Sequence, residues 1–202
     1  MATSNGTTVG RPRGFDTDAA LERAMVVFWE HGYDGASLTD LTDAMGITRT
    51  SMYAAFGNKE ALFRAALNRY LEGPGGYLTR ALSEPTARGV AHAFLMGSVR
   101  TTTRPDGPAG CLVVQGSLAA GESGRPARDA LVECREETWR LLRRRFAEAI
   151  DQGDLPAQTD AGVLARYVMA VGNGIAVQAA GGASADDLLP VAEAALHHWP
   201  PA

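Results

Sequence analysis

The stretch from Thr48 to Lys59 concentrates side chains of a kind that can read a nucleic acid: the guanidinium of Arg49, the hydroxyls of Thr48, Thr50 and Ser51, the phenol of Tyr53 and the ammonium of Lys59. An arginine can pair bidentately with the edge of guanine, and a threonine can hydrogen-bond a base or touch a thymine methyl. Tyrosine and lysine suit phosphate oxygens, and a lysine in the first turn of a helix adds its charge to that turn's free backbone N–H groups. Ala54 leaves room for the backbone to come close.

Such chemistry needs a rigid element to present it, and the flanking residues supply one. Ser37 followed three residues later by Asp40 forms a weak capping box ahead of the narrow apolar stripe Leu38, Leu41 and Met45, and Gly46 ends that helix. Thr48 then caps a third helix, from about Arg49 to Phe56, in which Met52 can pack on Ile47 as a hydrophobic staple. With Ile47, Met52 and Phe56 inward, Arg49, Thr50, Tyr53 and Ala54 face outward. Gly57-Asn58 closes this helix and caps a fourth with the series Leu62, Phe63, Ala66, Leu67 and Tyr70. Upstream, a capping residue at Asp16 or Thr17 starts a helix carrying Leu21, Ala24, Met25, Phe28 and Trp29, expected to stop at His31-Gly32 with Tyr33 folded back on it. Two short helices around a glycine turn make a helix-turn-helix, whose second helix can enter the major groove.

Beyond the turn Gly73-Pro74-Gly75-Gly76 the pattern stays helical, with helices expected near 77–84, 87–103, 109–120, 126–151, 159–180 and 184–198. The LVVQ run after Cys111 is the one place where a strand competes. The expected fold is all-α: residues 1–14 a disordered arm, 15–57 an N-terminal three-helix helix-turn-helix DNA-binding domain, and 58–202 a larger helical domain.

Residues 17 to 67 resemble the DNA-binding domain of TetR-type (TetR/AcrR) transcriptional repressors, through HGYDGASLTDLTDAMGIT and TRTSMYAAFGNKEALF and most distinctively through Tyr53, Phe56, Lys59, Glu60 and Leu62. The resemblance implies a ligand-responsive repressor that binds a near-palindromic double-stranded DNA operator as a homodimer. The last two helices would form the dimer interface, and a small-molecule inducer in the C-terminal body would release the DNA. It places Thr48, Arg49, Thr50, Ser51 and Tyr53 on or beside the recognition helix. Lys59 and Thr39 would sit at phosphates, and Arg11 and Arg13 on an arm along the minor groove.

Composition limits how such a protein meets DNA. The 202-residue chain has a formal net charge of −4, and its sequence pI is about 5.6. Residues 1–60 hold five basic groups (Arg11, Arg13, Arg23, Arg49, Lys59) against eight acidic ones (Asp16, Asp18, Glu22, Glu30, Asp34, Asp40, Asp43, Glu60), a balance of −3. Each neutralised phosphate adds about −0.9 to the salt slope, so the affinity is expected to fall less steeply with salt than that of a basic reader. Asp40 and Asp43 are compatible with DNA binding if they face protein or solvent.

The remaining signals exclude more than they assign. Four histidines without a metalloprotease spacing, and no P-loop or Rossmann glycine pattern, argue against catalysis, a metal or a cofactor. The N-terminus lacks an apolar signal region, Cys111 and Cys134 make no disulfide framework, and Asn173 and Gln178 interrupt the longest apolar stretch, so a cytoplasmic protein without a membrane span is expected. In the C-terminal half, Phe94, Met96, Trp139, Phe146 and Tyr167, with Gln115 and Asn173, are candidates to line an apolar effector pocket. Cys134 reads as a small core residue. Cys111 reads as packing or, alternatively, as an electrophile or redox sensor near a helix N-terminus. Arg143-Arg144-Arg145, among Glu136, Glu137 and Glu148, reads as a solvated ion-pair face. The runner-up for the whole chain is a helical ligand- or protein-binding module that has lost DNA binding.

Overall fold

A computed structural model describes residues 14–118, 124–197 and 199–200; the expected arm, with Arg11 and Arg13, lies outside the described residues. Among the described residues the regular structure is entirely helical: α1 Thr17–Gly35, α2 Leu38–Met45, α3 Arg49–Phe56, α4 Lys59–Glu72, α5 Tyr77–Leu82, α6 Ala87–Thr102, α7 Leu112–Leu118, α8 Arg125–Asp151, α9 Ala161–Ala180 and α10 Ala185–His197. The LVVQ run is the start of α7, not a strand.

Local chemistry sets most of the boundaries. Asp16 accepts hydrogen bonds from the Asp18 and Ala19 amides and caps α1, which kinks at Gly32 (φ 67°) and continues to Gly35. Ser37 and Asp40 form a complete capping box on α2, and Gly46 ends that helix in the left-handed conformation (φ 69°). Thr48 and Asn58 cap α3 and α4 through the amides of Ser51 and Ala61. α7 begins only at Leu112, because Gly110 just before it stands at φ 84°.

Two apolar cores follow. The first joins α1 to α4 with the start of α7 and the N-terminal part of α8: Phe28, Trp29, Met52, Phe63 and Tyr70 pack in one cluster with Cys111, Leu112 and Leu131. Its aromatics meet edge to face, Phe28 on Phe63 at 5.1 Å and Trp29 on Tyr70 at 4.7 Å between ring centroids. The second core lies between α5, α6, α9, α10 and the C-terminal part of α8, around Phe94, Leu95, Leu142, Phe146 and Val168. Within it α6 and α9 approach closely. A side chain on Gly172 would come within 2.9 Å of the Phe94 ring, and the Ser98 hydroxyl donates to the Gly172 carbonyl at 3.1 Å. α9 is long and apolar enough to cross a membrane by length and composition, but Leu164, Val168, Met169 and Ile175 lie in the second core.

Candidate nucleic-acid interface and effector cavity

The third helix presents the expected face. Met52 is fully buried, with Ile47 and Phe56 packed at the edge of the same core, while Arg49, Thr50, Tyr53 and Ala54 are exposed. Tyr53 is 46% accessible and is one of few large hydrophobic side chains left outward. The hydroxyls have prior duties. Thr48 Oγ1 accepts the Ser51 amide at 3.2 Å and donates to Ser51 Oγ at 3.0 Å, so these two side chains hold the start of α3.

Arg49 Nη2 donates to Thr39 Oγ1 at 2.9 Å across the helix-turn-helix, which makes the two residues a pair. Arg23 Nη2 donates to the Met45 carbonyl at 3.0 Å and fastens the end of α2 to α1. Lys59 is half-buried, with Nζ 4.5 Å from the centroid of the Tyr33 ring. Burial pushes its pKa down, and the nearby Asp34 opposes that shift.

The two aspartates differ in what they do. Asp40 accepts the Ser37 amide at 3.0 Å, and the hydrogen bonds from Ser37, side chain first and then backbone, hold its carboxyl below the usual range. Asp43 is exposed on the rim of an open cleft of about 660 Å³ lined also by Gly46, Ile47, Thr48 and Ser51.

In the body, a second cavity of about 300 Å³ lies between the end of α4, α5, α6, the start of α7, α8 and α9. Of the residues expected at an effector pocket it brings together Phe94, Cys111 and Asn173. The others stand elsewhere. Phe146 is fully buried in the second core, its ring 5.9 Å from that of Trp199. Trp139 donates to the Gly162 carbonyl at 3.1 Å beneath the Arg166 guanidinium, and Tyr167 donates to the Ala195 carbonyl at 3.2 Å. Met96 is buried in the second core, and Gln115, packed against Gly110, keeps a buried Oε1 without a hydrogen-bond partner among the described residues. Arg145 donates to the Glu84 and Pro85 carbonyls at 2.8 and 3.0 Å, so it clamps the α5–α6 turn where a solvated ion-pair face was expected.

Sequence reading missed the cavity's tyrosines. Tyr70 looked like one more core residue of α4, and Tyr77 like the first residue after a turn, yet both line the cavity with Cys134, Thr138 and Met169. The Tyr70 hydroxyl donates to Cys111 Sγ at 3.3 Å. Burial first, and the neighbouring Cys111 next, push the pKa of both tyrosines upward, so they remain neutral donors. The same two causes push the Cys134 thiol up to about 11. Among the described residues no group of three or more His, Cys, Asp or Glu side chains is placed to hold a metal ion.

Comparison with known proteins agrees with this layout. Residues 20–66 match the family model for bacterial regulatory proteins of the tetR family, and residues 89–185 match that of the tetracyclin repressor-like C-terminal domain. The chain is 32% identical over 193 residues to the HTH-type transcriptional repressor ComR of Escherichia coli K12, covering 95% of this chain and 92% of that protein. Among solved structures, a cysteine-substituted form of the TetR family transcriptional regulator CifR, in complex with 26-base-pair double-strand operator DNA, is 46% identical with a TM-score of 0.89, over 94% of this chain and all of that one. A putative TetR transcriptional regulator from Rhodococcus sp. RHA1 is 43% identical with a TM-score of 0.63, over 92% of this chain and 100% of that one.

The state of Cys134 yields a pH prediction. Its folded pKa of about 11 lies above the ordinary 9.0, so the unfolded chain releases the thiol proton first and stability falls as pH rises through that window. Under reducing conditions, denaturant unfolding of the wild type should lose stability relative to Cys134→Ala between pH 9 and 11 and show no such trend below it. A difference that stays flat across the window would contradict the burial.

Proposed function

The chain belongs to the TetR family of bacterial regulatory proteins, and on that premise we propose a repressor that binds a near-palindromic operator as a cytoplasmic homodimer and leaves it when a small molecule fills the cavity. The observation that carries the DNA assignment is the outer face of α3: Arg49, Thr50 and Tyr53 stand exposed on a helix whose opposite side is anchored by the fully buried Met52. The Arg49–Thr39 pair supports a joint role, in which a phosphate drawn to the guanidinium also meets the hydroxyl beside it. Thr48 and Ser51 shape the turn and can share their hydroxyls with the backbone of the DNA. Lys59 reaches a phosphate by leaving or sharing the Tyr33 ring, and Arg11 and Arg13 extend the contact along the minor groove.

The homodimer reading rests on α9 and α10. Val163, Ala170, Gly174 and Val177 are exposed along one stripe of α9, and Val191 is exposed on α10. Glycine costs roughly 1 kcal/mol in a helix relative to alanine. At Gly172 the close Phe94 ring accounts for it, but a side chain on Gly174 would meet nothing within 4 Å among the described residues. A second copy packed against this stripe gives Gly174 a purpose. It also sets two recognition helices about a two-fold axis.

Two experiments follow. At one fixed near-physiological salt concentration, the wild type should bind the DNA flanking its own gene more tightly than a scrambled duplex. Arg49→Ala and Tyr53→Ala should each weaken binding to the flanking DNA by about 1–3 kcal/mol. Equal binding of both duplexes by wild type and variants would favour a helical module that no longer reads DNA. Separately, Gly174→Leu should shift the protein from dimer to monomer in sedimentation while leaving its helical circular dichroism intact; a persistent dimer would move the interface elsewhere.

A further inference from the structure

In the first core, beside the cavity, Trp29, Tyr70 and the Gly110–Cys111 segment close a ring. Tyr70, 1% exposed, sets its ring edge-on to Trp29 at 4.7 Å and donates its hydroxyl to Cys111 Sγ at 3.3 Å. Trp29 Nε1 donates in turn to the carbonyl of Gly110, the residue before Cys111, at 3.2 Å. Trp29 lies on α1, inside the DNA-binding half, while Tyr70 and Cys111 form part of the cavity wall. Sulfur is a weak acceptor, so the Tyr70 hydroxyl is held by a bond that almost any oxygen acceptor would improve on.

Other polar side chains also line the cavity, among them Tyr77, Thr79, Thr138 and Asn173. The Thr138 hydroxyl donates to the Cys134 carbonyl at 3.0 Å. The charged lining groups are engaged: Arg135 Nη1 reaches the Val113 carbonyl, and Glu137 pairs with Arg140. Apart from these groups the wall is glycine, aromatic, aliphatic or sulfur-bearing. At about 300 Å³ the space is at the small end for an effector site.

We propose that Tyr70 is the effector-recognising group: the cavity takes a compact, uncharged, largely apolar molecule bearing one hydrogen-bond-accepting oxygen, which draws the Tyr70 hydroxyl from Cys111 Sγ. This rests on reading the cavity as the effector site. Turning the hydroxyl toward such a molecule changes how the Tyr70 ring bears on Trp29, so the same residue that recognises the effector presses on the helix that carries the DNA-binding domain. Cys111 acts here as the acceptor that is given up.

The test uses two probes of the same shape, acetophenone and α-methylstyrene, in which a carbonyl oxygen is replaced by a methylene. Affinities for the full-length protein are measured by titration in the absence of DNA. Tyr70→Phe should lower the ratio of acetophenone to α-methylstyrene affinity by about 3- to 10-fold, the value of one net hydrogen bond. Cys111→Ala, which removes the competing acceptor, should keep or raise that ratio. An unchanged ratio in Tyr70→Phe, a lowered ratio in Cys111→Ala, or no binding of either probe at millimolar concentration would overturn the proposal. If Tyr70→Phe does not fold, the direction of the Cys111→Ala effect still decides. Because no DNA is present, failure here is separate from failure to bind an operator.

Discussion

A buried indole N–H has to find an acceptor, and the one that Trp29 finds belongs to the other half of the molecule. Its bond to the Gly110 carbonyl ties α1 to the segment that leads into α7. That segment is itself fixed, since Gly110 stands at φ 84° and its amide donates to the Thr102 carbonyl at 2.8 Å at the end of α6. Leaving a buried polar group unsatisfied costs about 1–3 kcal/mol. Shifting one half against the other so that the indole stays buried without its acceptor would incur that cost and also disturb the Trp29–Tyr70 contact. The position of the DNA-binding domain is therefore set by the body, and the first core, running from α1 to α4 into α7 and α8, is the physical form of that constraint.

The surface proposed to reach DNA is small. Local capping fixes where α3 starts and Met52 fixes which side faces out, so few side chains are left to choose a sequence. The acidic balance of the first sixty residues means that little attraction comes from bulk charge. Asp40 is committed to its capping box, whereas Asp43 stays on the rim beside Thr48 and Ser51. On the proposed reading, a negative group there disfavours indiscriminate phosphate contact and leaves binding to the geometry around Arg49, Thr50 and Tyr53.

The parts of this organisation legible in the sequence are those that local chemistry determines. Asp16, Ser37, Gly46, Thr48 and Asn58 mark helix ends through bonds made within four residues, and the outward face of α3 follows from the spacing of Ile47, Met52 and Phe56. The cavity was much less legible. Helical periodicity tells which side chains are buried but not which border empty space, so Phe146 and Tyr167 looked as suitable as Phe94. Tyr70 matters because Cys111 comes beside it from 41 positions further along the chain, a contact no local pattern announces. Arg145 was hidden in the same way, its partners being carbonyls some 60 residues away. The late start of α7 shows the smaller version of the effect, since the conformation of Gly110 answers to Trp29 and Thr102.

On the proposed reading this protein recognises a specific DNA sequence through two copies of α3. Selection of tight binders from a pool of random duplexes by the purified wild-type protein tests it without assuming where the operator lies. The account predicts enrichment of two inverted half-sites at a fixed spacing. A folded dimer that enriches no sequence, or only single unrepeated sites, would contradict it.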